Sequence, residues 1–274
     1  MKPFLPVPLA GLFVFLMGGC AGAQSVPANT ATETQAPLDP KQYILVETGD
    51  LPIVLSAPHG GEVVIPRIPE RAFGENDLDV NTLQLAITIQ AELASLTGGK
   101  KAHLVAARVS RGYVDFNRAA SRAYETEVVA PIYQAYHDAL FAAVKEAKAL
   151  AGPNTLFIDI HGQSADVAKV FRGTQDGQTG DLAMLCRTNA PGLIATMGLN
   201  KLIVEPSTTH GYEASAFLGG FIVRTYGLHG VGGINAIQLE FGRDYRENSE
   251  AITKTARAVA TALVAYLKTT NSAQ

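Results

Sequence analysis

The sequence predicts a single α/β domain, built on a mixed, mainly parallel central sheet with helices on both faces. Two observations carry this expectation. Apolar runs at 43–48, 51–58, 103–109, 155–161, 201–206 and 235–241 have the length of strands. Several are apolar without alternation, as strands covered on both faces are. Long segments at helical spacing lie between and after them, which is the pattern of crossover connections in a parallel sheet. A chain of 274 residues, 47% hydrophobic and 17% charged, is large enough to bury one substantial core.

The chain starts outside this domain. Lys2 precedes an apolar stretch from Phe4 to Met17 and then small residues, which reads as an export signal. The stretch is too short and too interrupted by Pro and Gly for a spanning helix. Two cleavage readings stay open: "LMGGC" resembles a lipoprotein signal cut at 19/20 with Cys20 lipidated, and "AGAQ" suits cleavage at 23/24. Residues 1–23 are therefore read as signal, 24–41, rich in Ala, Thr, Pro and Gln, as a flexible tether, and 42–270 as the domain. The expected location is periplasmic, with the membrane engaged only through a lipid anchor at Cys20. Loss or lipidation of Cys20 leaves Cys186 without a partner, and it is expected as a buried small apolar residue.

Within the domain, residues 79–96 read as a helix stopped by Gly98-Gly99. Residues 127–150 read as a second, stopped by Gly152-Pro153, and 249–268 as a third, with Ser249 the expected cap. With a net charge of −3 and no basic run, nothing points to nucleic acid, and no such partner is expected. "GQSAD" lacks the second glycine of a nucleophile elbow. "TGGKKA" lacks the hydroxyl residue of a phosphate loop.

In a sheet of this kind, chemistry collects where strands end. His59 and Glu62, in "SAPHGGE", follow the strand at 51–58, and His161 closes the strand at 155–161. Two histidines and a carboxylate are a common hydrolytic zinc set that leaves a position open for water. The glycines at 60 and 61 are expected to let the turn bend around the ion. Asp159 shares a strand face with His161 and is placed to orient it. A second H-x-x-E, His210 to Glu213, has no matching distant histidine and is read as structural or substrate-side. His103 and His137 are read as structural. "SRGYVDFNR" gathers Arg111, Asp115, Asn117 and Arg118 in one loop suited to holding a carboxylate. Glu240, near the end of the strand at 235–241 and on one face with Gln238, is the candidate general base.

Taken together, "SAPHGGE", "SRGYVDFNR", "IDIHG" and "GGFIVRTYG…INAIQLEFGRDYR" resemble the N-formylglutamate amidohydrolase family, whose fold is similar to that of zinc carboxypeptidases. The likeness spans roughly residues 50 to 265. It implies one zinc ion held by His59, Glu62 and His161, with Asp115 supporting a zinc histidine. It further implies that Asn117 and Arg118 hold the free carboxylate of the substrate, that Arg224 lies near the pocket, and that Glu240 is the base. Asp79, at the start of the first helix, matches a further acidic position of the family. The implied activity is hydrolysis of an amide bond next to a free carboxylate, in an N-acyl amino acid or short peptide. Export from the cytoplasm separates the expected substrate from that of a cytoplasmic deformylase. A non-catalytic ligand-binding lipoprotein on the same fold is the alternative reading.

Overall fold

The computed structural model describes residues 38–189 and 192–271, so the expected signal and Cys20 lie outside the described residues. Residues 38–41, read from sequence as the end of the tether, belong to the folded domain. The Asp39 carboxylate accepts from the Lys41 N–H at the start of a 3-10 turn, Pro40–Gln42, and Leu38 packs on the core.

Seven strands follow: β1 (Ile44–Glu47), β2 (Ile53–Ala57), β3 (His103–Ala107), β4 (Leu156–Gly162), β5 (Val170–Gly173), β6 (Val204–Glu205) and β7 (Asn235–Phe241). They form one sheet in the order β1-β3-β2-β4-β7-β5-β6. The central pairs β3/β2, β2/β4 and β4/β7 are parallel, while β1 and β5 run antiparallel to their inner neighbours β3 and β7. Six of the seven occupy the apolar runs seen in the sequence, although β6 keeps only two residues of the expected 201–206. β5 escapes such reading because Arg172 interrupts its four residues and a turn follows at once.

The three long helices are α1 (Thr82–Leu96), α2 (Ala130–Ala151) and α6 (Ser249–Asn271). Helix α6 is capped one residue earlier than expected, since Asn248 Oδ1 accepts from the Ala251 N–H. Three short helices, α3 (Leu182–Leu185), α4 (Leu193–Leu199) and α5 (Phe221–Tyr226), have too few turns to show a period in sequence. No helix among the described residues is long and apolar enough to cross a membrane.

Strand alternation divides the core. Ile53, Leu55, Leu104, Ile158 and Leu239 face α1, α4 and α6. Val54, Val105, Phe157 and Ala236 face α2 and α5. In the β4/β7 ladder, Phe157 lies beside Ala236, Asp159 beside Gln238, and His161 beside Glu240. Period two therefore carries Asp159, His161, Gln238 and Glu240 on the α2–α5 face, at the carboxyl end of adjoining parallel strands. Apolar residues start that face and titratable ones end it.

Candidate metal centre

His59 stands two residues beyond β2, His161 in the last turn of the β4 pleat, and Asp79 just ahead of α1. Their donor atoms come within 4.8 Å of one another, and all three residues are buried. Asp79 Oδ2 lies 3.1 Å from His161 Nδ1 and 3.4 Å from His59 Nδ1. Donors about 2.0–2.1 Å from a tetrahedral zinc stand about 3.3 Å apart, so the spacing fits such an ion. The backbone ties the donors together: the Asp79 N–H donates to the His59 carbonyl, and the Gly162 N–H to Asp79 Oδ2.

The outer nitrogens are both occupied. His59 Nε2 donates to Asp115 Oδ1 at 2.7 Å, and His161 Nε2 donates to Asp159 Oδ2 at 3.0 Å. Each carboxylate fixes a ring so that Nδ1 faces the common centre, as in carboxylate–histidine–metal triads. His59 Nδ1 is buried and makes no hydrogen bond, an uncommon state for a buried polar atom. Asp115 is gripped in turn by Arg111 Nε at 3.2 Å, with Arg71 Nη2 3.8 Å away. The buried carboxyl groups of Asp79, Asp115, Asp159 and Glu240 are accompanied by three buried guanidiniums, Arg71, Arg111 and Arg246. The donor set, two imidazoles and a carboxylate, fits zinc.

The ionisation of these groups follows from the same contacts. Burial opposes charge on Asp79, but the hydrogen bond from His161 and the neighbouring His59 imidazole outweigh it and hold its pKa far below the usual carboxylate range. Burial likewise opposes the charge on Asp115, and His59, Arg111 and Arg118 outweigh it in the same direction. Burial disfavours a charged His161, yet Asp159 and Asp79 raise its pKa well above that of a free imidazole. Glu240 is pushed up to about 7, chiefly by burial.

Glu62 does not take part. Past His59 the chain continues in parallel bridges, Gly61 to Ser110 and Val63 to Val109, and Glu62 between them is exposed to solvent. The carboxylate within reach of the two imidazoles is that of Asp79, 20 residues beyond His59. An aspartate directly before a helix reads in sequence as an ordinary N-terminal charge, so its place beside the two imidazoles had no local signal beyond the family resemblance. The glycines also act differently from expectation. Neither Gly60 nor Gly61 has positive φ. A Cβ on Gly60 would strike the Leu83 N–H and Thr82 Oγ1 at the start of α1, and one on Gly61 would strike the Arg108 carbonyl. Close approach, rather than backbone freedom, demands glycine at both positions.

A cavity of about 760 Å³ opens over the three donors. Arg111, Asn117, Arg118, Arg224 and Glu240 all line it, so the structure gathers every expected substrate-side residue at one place. Their situations differ. Arg118 is partly exposed and donates once, from Nη1 to the Asn117 carbonyl, while Arg224 is exposed on α5. Arg111 and Asn117 are buried and largely committed to the framework. Asn117 Oδ1 accepts from the Ile222 N–H, and its Nδ2 lies 3.4 Å from Gln238 Oε1 and 3.3 Å from His161 Nε2. Arg246, also on the cavity wall, is a structural strut that donates to the carbonyls of Val80, Phe241 and Gln163.

The second H-x-x-E separates cleanly from the first. Glu213 is buried against Arg172 at 2.9 Å and also accepts from Thr174 and the Asp176 N–H, while His210 is exposed. This pair anchors the loop leading to the cavity wall at Ser215–Gly220. Cys186 is buried as expected, and it accepts from Arg172 Nη1 at 3.0 Å. His103 and His137 hold structural hydrogen bonds to Gly49 and to Phe116 and Tyr226.

Neither a protein-family model nor a curated protein sequence matches the chain. Among solved structures it is similar to N-formylglutamate amidohydrolase from Ralstonia eutropha JMP134, with a TM-score of 0.57 and 16% identity, covering 84% of this chain and 97% of that one. It is also similar to a gene product of Agrobacterium tumefaciens, with a TM-score of 0.53 and 16% identity over 83% of this chain and 95% of that one. The chain shares the α/β fold of these proteins: one mixed sheet between two layers of helices.

Proposed function

We propose that this protein is a zinc-dependent amidohydrolase that cleaves an amide bond next to a free carboxylate, in an N-acyl amino acid or short peptide outside the cytoplasm. One observation carries the reading: a cavity that joins three convergent metal donors to a carboxyl group raised to about 7 and to Arg118 and Arg224. Fold likeness at 16% identity speaks for architecture, and the residues speak for the chemistry.

His59, Asp79 and His161 would hold the ion, with Asp115 and Asp159 fixing the rings. Zinc bound there supplies Lewis-acid polarisation of a carbonyl and makes water acidic enough to lose a proton near neutrality. Glu240 stands beside His161 across the β4/β7 ladder. From there it is placed to take the proton of the attacking water and deliver it to the leaving nitrogen as the C–N bond breaks. The products are a carboxylate and an amine. Arg118 and Arg224 clamp the substrate's free carboxylate, which turns binding energy into positioning of the scissile bond.

Purified protein is expected to carry about one equivalent of zinc. His161→Ala should lose both metal and hydrolysis, whereas Glu240→Gln should keep the metal and lose about 100- to 10,000-fold in turnover. A screen of N-acyl amino acids and short peptides identifies the substrate. Full activity in Glu240→Gln would remove the general-base assignment, and tight metal binding without turnover of any amide would favour the non-catalytic alternative.

A further inference from the structure

Gln238 lies two residues before Glu240 on β7, 4% exposed, and no part of the reaction described so far uses it. Its hydrogen bonds determine which way its amide points. Oε1 accepts from the Gly220 N–H at 2.7 Å and faces Asn117 Nδ2 at 3.4 Å, so both neighbours on that side are donors. Nε2 is thereby directed along the strand and donates to Glu240 Oε1 at 2.8 Å. One carboxylate oxygen of Glu240 is thus held by a fixed donor, and Glu240 lines the cavity.

The other end of this link is equally placed. Gly220 is the N-cap of α5, the helix carrying Arg224 on the cavity wall. Asn117 adjoins Arg118 and closes on the same helix through the Ile222 N–H. A chain of hydrogen bonds therefore runs from the wall holding both candidate carboxylate-binding arginines, through one buried carboxamide, to the candidate base.

We propose that Gln238 is a positioning residue, which aims the Glu240 carboxylate at the attacking water and ties that aim to the arginine-bearing wall. The inference rests on the amidohydrolase reading above. Hydrogen bonds to charged groups contribute on the order of 1.5–3 kcal/mol, so removing this one lowers kcat by roughly 10- to 100-fold.

Two variants separate positioning from packing. Gln238→Glu retains the shape and the acceptor for the Gly220 N–H but sets a carboxylate against Glu240. Gln238→Met retains the bulk and loses both polar ends. Each is measured alone and combined with Glu240→Gln, on an activated N-acyl amino acid chosen so that residual turnover of Glu240→Gln stays measurable. Zinc content and KM are measured alongside. The expected result is a fall in kcat of at least tenfold for both single variants, with KM within about threefold and zinc stoichiometry unchanged. In the Glu240→Gln background the same substitutions should change the residual rate by less than about twofold, because a residue acting through Glu240 has nothing left to act on. Loss of zinc, or an equal fall in the Glu240→Gln background, would overturn the proposal in favour of a packing role. So would an unchanged kcat in both variants while Glu240→Gln itself is impaired. If Glu240→Gln alone has full activity, the base assignment fails instead, and the two failures are told apart by that single variant.

Discussion

Asp79→Asn and Glu62→Ala together decide which carboxylate completes the cation site. Asparagine keeps the size of Asp79 and still offers an oxygen to the Gly162 N–H, which lies 3.1 Å from Oδ2. It removes the anionic donor that stands 3.1 Å and 3.4 Å from the two imidazole Nδ1 atoms. Losing a partner that merely orients a ligand costs 10- to 100-fold in metal affinity. Losing a donor itself should exceed the upper end, a fall of at least about 100-fold or about 2.8 kcal/mol. Glu62 is exposed and lies off the cavity, so its truncation falls among surface changes of within about 0.5 kcal/mol, or roughly twofold. The assay is titration of metal-stripped protein with zinc against a chromophoric chelator near neutral pH, with circular dichroism to show that each variant is folded. If Glu62→Ala loses affinity while Asp79→Asn binds as the parent does, the reasoning from geometry is wrong.

Two further outcomes follow from buried charge. Burial lowers the pKa of His137 to about 4 from 6.5, so the unfolded chain binds more protons between those values and stability falls as pH drops through that window. From pH 7 to 5 the loss assignable to His137 is about 2 kcal/mol, and urea titrations of the parent against His137→Gln should show the variant with a shallower fall. Glu213→Ala strands Arg172 as a buried, unpaired charge, and should destabilise the domain by about 3–5 kcal/mol. That corresponds to about 6–20 °C in melting temperature for a domain of this size, and an unchanged melt would show that the pair is dispensable.

Much of the fold was readable because its signals are local. The strand at 235–241 matches β7 residue for residue, since Ala236, Ile237, Leu239 and Phe241 mark a segment of strand length. The long helices α1, α2 and α6 were legible from their period, and the short α3, α4 and α5 were not, having too few turns to display one. Strand β5 was missed for a different reason. Arg172 looks like a surface residue until Glu213, 41 positions later, neutralises it in the core.

The site divides along the same line. The sequence by itself brought forward His59, His161, Asp159 and Glu240, because they lie in or just past the strands and the pleat dictates which strand residues share a face. It also determined the loop of Arg111, Asp115, Asn117 and Arg118, where residue type and crowding suffice. Only the tertiary structure decided between Glu62 and Asp79. Proximity in sequence favoured Glu62, but extension of the chain beside β3 turns it to solvent, and packing of the start of α1 against Gly60 brings Asp79 over the two imidazoles. It also separated the two H-x-x-E pairs, burying Glu213 on an arginine and His59 against a carboxylate. A ligand set is a property of where side chains converge in space, and convergence across 20 or 100 residues is set by packing of helices on a sheet, which no local pattern encodes.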